Sequence, residues 1–99
     1  SSMLTSKQRS NLKSIAANLS PVGQCGKGGI SENMVRSLSD ALEARELIKV
    51  NVLTNAEEDA KSLGEELADK LSAECVAVIG RKVILYRRSS RKDFKHIEF

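Results

Sequence analysis

The stretch Gly26-Lys27-Gly28-Gly29 constrains this chain more than any other, because three glycines in four residues free the backbone to turn sharply. Residues 21–25, before this stretch, are predicted to form a short strand. Ser31, after the stretch, is a typical N-cap residue of a helix. A helix that begins at Ser31 would direct unpaired N–H groups toward the loop, where they favour an anion. The stretch therefore predicts strand, turn and helix, and the turn is either a phosphate-binding loop with Lys27 at its tip or a plain surface turn.

The helices on either side of this loop are predicted from their caps and from apolar residues at helical spacing. Thr5 and Gln8 form a capping box, and the helix ends near residues 18–19 because Pro21 cannot continue it. The helix after the loop covers residues 31–45, with Ser31 as its cap. The apolar faces are Leu12, Ile15, Ala16 and Leu19 in the first helix, and Val35, Leu38, Ala41 and Leu42 in the second.

A third helix is predicted to begin at Asn55, where Glu58 completes a second capping-box pattern. Its inward face carries Ala60, Leu63, Leu67, Ala68 and Leu71. Its outer surface carries Glu57, Glu58, Asp59, Glu65, Glu66 and Asp69. Because carboxylates repel phosphates, we expect this helix to lie away from any bound nucleic acid.

Three further strands are predicted from β-branched and alternating residues. Residues 47–53 form the first and place Lys49 on the face opposite to the β-branched side chains. Residues 75–79 and 82–87 form a hairpin around the turn Gly80-Arg81. The order αβαβαββ predicts an α/β fold of two layers, in which three helices pack on a four-stranded mixed sheet.

Charge is distributed unevenly, although the net charge is only +3. Residues 1–31 contain four bases and no acid, residues 32–74 five bases and eleven acids, and residues 75–99 seven bases and two acids. Such a chain can fold into one basic and one acidic face, and a basic face is typical of nucleic-acid binding. An ordinary solvated surface would have the same composition. An aromatic content of 3% argues against a single-strand binder built on stacked aromatic side chains.

The residue patterns of several other activities are missing. Lys27 is followed by Gly28, without the Ser or Thr of a Walker A motif, and the spacing is not that of a dinucleotide-binding loop. One histidine with Cys25 and Cys75 predicts neither a metal site nor a catalytic triad, and we expect two reduced thiols. No apolar run approaches the roughly 20 residues of a membrane span. We therefore expect a cytoplasmic protein that is not an enzyme and uses no cofactor, metal or membrane.

The two ends of the chain are expected to lie outside the domain. Residues 1–3 are interpreted as a cloning remnant, which leaves residues 4–88 as the domain. Residues 89–99 predict a basic, poorly ordered tail in which His96 is exposed to solvent and has no role. The apolar residues of the tail are candidates to dock on the domain or on a partner: Phe94, Ile97 and Phe99.

Five short strings occur in order along the chain: LTSKQR at residues 4–9, GKGGIS at 26–31, ELIKV at 46–50, VIGR at 78–81 and LYR at 85–87. Together they resemble the CRM domain (chloroplast RNA splicing and ribosome maturation) in its stand-alone bacterial, YhbY-like form. The resemblance implies an RNA-binding domain with a KH-like G-x-x-G loop and a fold similar to the C-terminal domain of bacterial translation initiation factor three. It also implies a role with precursors of the large (50S) ribosomal subunit.

The main hypothesis is a monomeric, non-catalytic RNA-binding protein that holds phosphates through its glycine loop and nearby bases. The candidate RNA-binding residues are Gly26, Lys27, Gly28, Gly29, Lys7, Arg9, Lys13, Lys49, Lys82, Arg87 and Arg88. The alternative is a protein-interaction module of a ribosome or another ribonucleoprotein, which would use the acidic third helix or the C-terminal tail.

Overall fold

The structure is a computed structural model that describes residues 4–26, 30–53, 57–93, 95–97 and 99, with the backbone alone for residues 57–59. In chain order the elements are α1 (Ser6–Ala16), β1 (Gly23–Cys25), α2 (Glu32–Arg45), β2 (Leu47–Val52), α3 (Glu57–Leu71), β3 (Glu74–Ile79) and β4 (Lys82–Tyr86). The predicted element order is confirmed, with small shifts at the ends of individual elements.

Two of the predicted helix caps are confirmed. Thr5 Oγ1 accepts a hydrogen bond from the amide of Gln8 at 3.1 Å, and the Gln8 side chain accepts one from the amide of Thr5 at 3.1 Å. Ser31 Oγ accepts from the amide of Met34 at 3.1 Å. The predicted cap Asn55 lies outside the described residues. Helix α1 ends at Ala16, before the predicted residues 18–19, because the amides that follow make the shorter i→i−3 bonds of a turn.

The four strands form one mixed sheet in the order β1-β2-β4-β3. Strands β1 and β2 are parallel, whereas β4 runs antiparallel to both β2 and β3. The predicted hairpin turn is present, and Gly80 adopts a φ of 60°, which glycine reaches without a steric penalty. A register shift between Cys75 and Ala77 marks an irregularity in β3.

Helices cover both faces of this sheet. On one face α2 and α3 contribute Leu38, Leu42 and Leu67 to a core with the β-branched residues of β2 and β4. On the other face α1 packs through Leu12 and Ala16. The fold class with three helices and a mixed sheet is confirmed, but the structure has three layers where two were expected. The reason is that the four consecutive residues 83–86 of β4 are buried, so both faces of this strand require a cover.

Gly64 explains how closely α3 approaches the sheet. A Cβ atom at this position would lie 3.0 Å from Val83 Cγ1 and 3.3 Å from Cys75 Sγ. A glycine in the middle of a helix weakens that helix by about 1 kcal/mol relative to alanine. Here it permits contact between helix and sheet that a larger residue would prevent.

The sheet has two ends with different surroundings. The loop end comprises Gly26, Leu53 and residues 79–82, because β1, β2 and β3 finish there and β4 begins there. The tail end comprises Glu46 and residues 86–93, 95–97 and 99, because β2 begins and β4 finishes there.

Candidate nucleic-acid interface

The glycine loop leaves β1 at the loop end. The carbonyl of Cys25 accepts a hydrogen bond from the amide of Leu53 at 2.7 Å, which joins the start of the loop to the segment after β2. A Cβ atom on Gly26 would lie 4.0 Å from Leu53 Cδ1, so the two residues are neighbours. Lys27, Gly28 and Gly29 lie outside the described residues, and their contact with a ligand stays a prediction.

Two exposed cations stand beside this loop exit. Lys82 and Arg81 are both exposed, and the carbonyl of Arg81 accepts from the amide of Val52 at 2.7 Å. That bond holds the hairpin turn against the end of β2. Lys82 is one of the predicted RNA-binding residues, whereas Arg81 is not. The position of Arg81 in a turn next to Lys82 could have identified it from the sequence.

Arg87, by contrast, is engaged inside the protein. Its guanidinium donates to the carbonyl of Leu71 at 2.8 Å and to both the carbonyl and the hydroxyl of Ser39 at 3.0 Å. It also forms an ion pair with Glu43 at 3.5 Å. These contacts join the end of β4 to α2 and α3. The Arg87 guanidinium therefore bonds within the protein rather than projecting toward a ligand.

Arg9 also has a structural partner. Its guanidinium donates to the carbonyls of Cys75 and Val76 at 3.1 and 3.3 Å, where the register of β3 is irregular. A bulge leaves carbonyls outside the regular ladder, and Arg9 supplies donors for them. Its position ties α1 to the edge strand β3 and away from the glycine loop.

Lys49 is only 8% exposed. The predicted alternation of β2 is correct, but the face that carries Lys49 also carries the buried Leu47 and lies under α1. This burial argues against Lys49 as one of the candidate RNA-binding residues, and the sequence pattern of one strand does not reveal a helix packed over its polar side.

The remaining predicted cations are exposed but lie apart. Lys7 and Lys13 are exposed on α1, and Arg88 is exposed beyond the end of β4. Lys82 and Tyr86 are separated by four residue steps along β4, about 13 Å, so Arg88 and Lys82 lie at opposite ends of the sheet. Of the predicted cations that the structure describes, Lys82 is the one placed beside the glycine loop.

The tail end is organised around Glu46, which is fully buried. Its carboxylate accepts from the amides of Ser89 and Ile97 at 2.7 and 2.8 Å and bonds to Nδ1 of His96 at 2.5 Å. Burial raises the pKa of this carboxyl, but the hydrogen bonds from Ser89, His96 and Ile97 outweigh burial, so its pKa lies below the usual value.

These contacts correct the prediction of an idle His96 in a poorly ordered tail. His96 is paired with Glu46, and the ring of Phe99 packs edge-on against Tyr86 with centroids 5.0 Å apart. Ile97 also packs against the core beneath α1. Of the two docking possibilities for the tail, Ile97 and Phe99 therefore dock on the domain, while Phe94 lies outside the described residues.

The described ranges include both cysteines of the chain. Both cysteines are free thiols, and burial is the main cause that raises the pKa of each. Within those ranges no three His, Cys, Asp or Glu side chains are grouped as metal ligands would be. None of the described helices is long and apolar enough to cross a membrane.

The model of the CRS1 / YhbY (CRM) domain matches residues 4–87. The chain is 47% identical over 96 residues to "Probable RNA-binding protein YqeI" of Bacillus subtilis, covering 97% of this chain and 98% of the relative. It is 34% identical over 86 residues to an "RNA-binding protein" of Haemophilus influenzae, covering 87% of each. A solution structure of a Staphylococcus aureus protein superimposes with a TM-score of 0.82 at 48% identity, covering 97% of this chain and 98% of that one.

Proposed function

Because the chain belongs to the CRS1 / YhbY (CRM) domain family, we propose that it is a non-catalytic RNA-binding protein. Amide groups of the Gly26–Gly29 loop and the ammonium group of Lys27 hold RNA phosphates, and Lys82 extends this positive surface along the sheet. Lys7 and Lys13 add longer-range attraction from α1. The family and the relatives named as RNA-binding proteins support this function.

The observation that supports the proposal is the position of Gly26, where the glycine loop begins, next to Leu53, which lines one groove with the exposed cations Arg81 and Lys82. Strand β1 leads into the loop, and α2 leaves it with its amino terminus capped by Ser31. A helix amino terminus and nearby cations both favour phosphate. The single histidine of the chain is bonded to Glu46 at the tail end, so it supplies no general base at this surface.

At the level of cellular process, the proposed role is assembly or maturation of the large ribosomal subunit. The protein acts there in the cytoplasm and as a monomer. This part of the proposal rests on the resemblance of the sequence to stand-alone bacterial members of the family. Crosslinking in cells, followed by sequencing of the attached RNA, tests it. Enrichment of large-subunit ribosomal RNA is the expected result, and enrichment of unrelated transcripts alone would contradict the role in assembly.

The RNA-binding proposal itself is tested by measuring affinity at several salt concentrations. If about four phosphates are contacted, the logarithm of affinity falls with the logarithm of salt concentration at a slope of about −3 for single strands or −3.6 for a duplex. Gly29→Asp adds a side chain and a negative charge at the loop and is expected to abolish most binding. Ser62→Asp, on the exposed surface of α3, adds the same charge elsewhere and serves as the control.

Affinity that does not change with salt, or equal binding by both variants, would contradict phosphate binding by the loop. The alternative function, protein interaction through the acidic surface of α3, predicts partners that remain bound after nuclease treatment. The tail offers this alternative little surface, because Ile97 and Phe99 pack on the domain itself.

A further inference from the structure

We propose that the loop end carries a subsite for one unstacked base of single-stranded RNA, with Leu53 and Ile79 as its apolar contacts. This inference rests on the proposed RNA-binding function and adds to it a site for a base. The phosphate loop alone cannot distinguish a base-bearing strand from a bare backbone.

The first observation is exposed apolar surface. Leu53 is 54% exposed and Ile79 is 48% exposed, and these are the large hydrophobic residues that the described part of the chain leaves open to solvent. Single exposed apolar residues are ordinary on protein surfaces. These two, however, line one open groove of about 480 Å³ together with Asn51, Arg81 and Lys82.

The second observation is a row of side chains across the sheet. Gln24 of β1 is paired with Asn51 of β2, Asn51 with Lys82 of β4, and Lys82 with Ile79 of β3. Residues paired directly across strands point to the same face. The row therefore presents two amides, one ammonium group and one apolar side chain on a single surface about 14 Å across.

This surface is the half of the sheet face that α1 does not cover. Helix α1 and the C-terminal residues Ile97 and Phe99 pack on Leu47, Ile84 and Tyr86, toward the tail end. At the loop end Gln24 and Lys82 are exposed and Asn51 is half-buried. The same face is thus closed in one half and open in the other.

The chemistry of the groove favours a nucleotide as its occupant. The residues that line it include two cations and no acid, so its charge is complementary to a phosphodiester. Leu53 also contacts the start of the glycine loop, since a Cβ atom on Gly26 would lie 4.0 Å from its Cδ1. A nucleotide whose phosphate lies at the loop can therefore place its base against Leu53.

The base must be unpaired to use this site. Sequence-specific RNA contacts are made to splayed bases of single strands, because the bases of an A-form helix are stacked and their major-groove edges are inaccessible. Aromatic side chains usually provide such platforms. Here Tyr86 is buried against Phe99 at the tail end, so Leu53 and Ile79 provide aliphatic contacts instead, and the Asn51 amide can bond to a base edge.

The test compares two single-stranded probes of equal length, an oligouridylate and an abasic oligoribose phosphate, by fluorescence anisotropy. The double variant Leu53→Ser with Ile79→Ser is expected to bind the oligouridylate about fivefold to tenfold more weakly, at the low end of measured base-stacking effects. Its affinity for the abasic probe and its salt dependence stay unchanged. Because both residues are exposed, the thermal unfolding transition is expected to be retained.

The outcomes separate this inference from the proposed function. If the double variant binds the oligouridylate as tightly as the unchanged protein, or loses affinity equally for both probes, the base subsite is wrong while RNA binding stands. If the unchanged protein binds neither probe at low salt, the proposed function fails as well. If sedimentation shows a dimer that the double variant dissociates, a second copy of the chain covers the groove and the base subsite is wrong.

Discussion

The loop end and the tail end of the sheet both carry basic residues, but these are exposed at the loop end, whereas some of those at the tail end are bonded to other groups of the protein. At the tail end, Arg87 and His96 are bonded to carbonyls and carboxylates of the protein. At the loop end, Lys82 projects from an exposed position beside the glycine loop. Charge alone therefore does not identify the cations that bind a ligand; the groups that surround each cation do.

The direction of the helices gives a physical reason for this difference. Helices α2 and α3 both begin near the loop end and finish near the tail end. Their last carbonyls, such as that of Leu71, need donors, and Arg87 provides one; the hydroxyl of Ser89 donates to the carbonyl of Glu43 at 2.8 Å. Helix carboxyl ends favour cations and helix amino ends favour anions. The fold thus bonds cations internally at the tail end, whereas the amino end of α2 at the loop end favours an anion.

The largest loss in the free energy of unfolding is expected from Glu46→Ala at the tail end. The change leaves His96 and the amides of Ser89 and Ile97 without their buried acceptor. Breaking such a buried cluster costs about 3 kcal/mol in the free energy of unfolding. Chemical denaturation measures the loss, and faster amide exchange at Ile97 would report release of the tail. Glu66→Ala, on the exposed surface of α3, is the control and should change stability little; an equal loss in both variants would contradict the role of Glu46.

A smaller loss is expected when Arg87→Ala is compared with Arg88→Ala. Arg87 makes three hydrogen bonds to Leu71 and Ser39, whereas its neighbour Arg88 is exposed. Hydrogen bonds to charged groups contribute about 1.5–3 kcal/mol, so Arg87→Ala should lower the free energy of unfolding by about 2 kcal/mol. Thermal unfolding measures both variants. Equal stabilities would show that the contacts of Arg87 contribute nothing.

Acid is expected to weaken the tail end selectively. The pKa of Glu46 lies below its ordinary value of 4.5, so its ionised form stabilises the folded state above that value. This contribution is lost as the pH falls through the lower pKa of the folded state. Unfolding measured from pH 6 to pH 3 should therefore show a steeper loss for the unchanged protein than for Glu46→Gln, which lacks the ionisable group. Parallel curves would contradict the assignment.

The smallest effect on stability, and a clear effect on binding, is expected for Lys82→Ala. Lys82 is exposed, so its removal should change the free energy of unfolding by less than about 0.5 kcal/mol. Loss of one phosphate contact should reduce the salt slope for single-stranded RNA by about 0.7. Lys92→Ala, an exposed cation in the tail, is the control. Equal salt slopes in the two variants would remove Lys82 from the binding surface.

Short-range features of the sequence determined most of the secondary structure. The capping box of Thr5 and Gln8, the cap at Ser31 and the turn at Gly80 depend on residues within three positions of each other, and each is present as predicted. The spacing of apolar residues likewise identified β2, β3 and β4, because side chains at alternate positions of a strand lie on the same face. The phosphate contacts of residues 27–29, which lie outside the described residues, stay a prediction.

Only the tertiary structure decided which cations are exposed. Arg87 and Arg88 are adjacent and carry the same charge, yet Arg87 faces a carbonyl 48 residues away in sequence and Arg88 faces solvent. Lys49 was separated from the surface by a helix that begins more than 40 residues earlier. Exposure depends on which distant elements pack together, and the spacing of residues within one strand or helix contains no information about that packing.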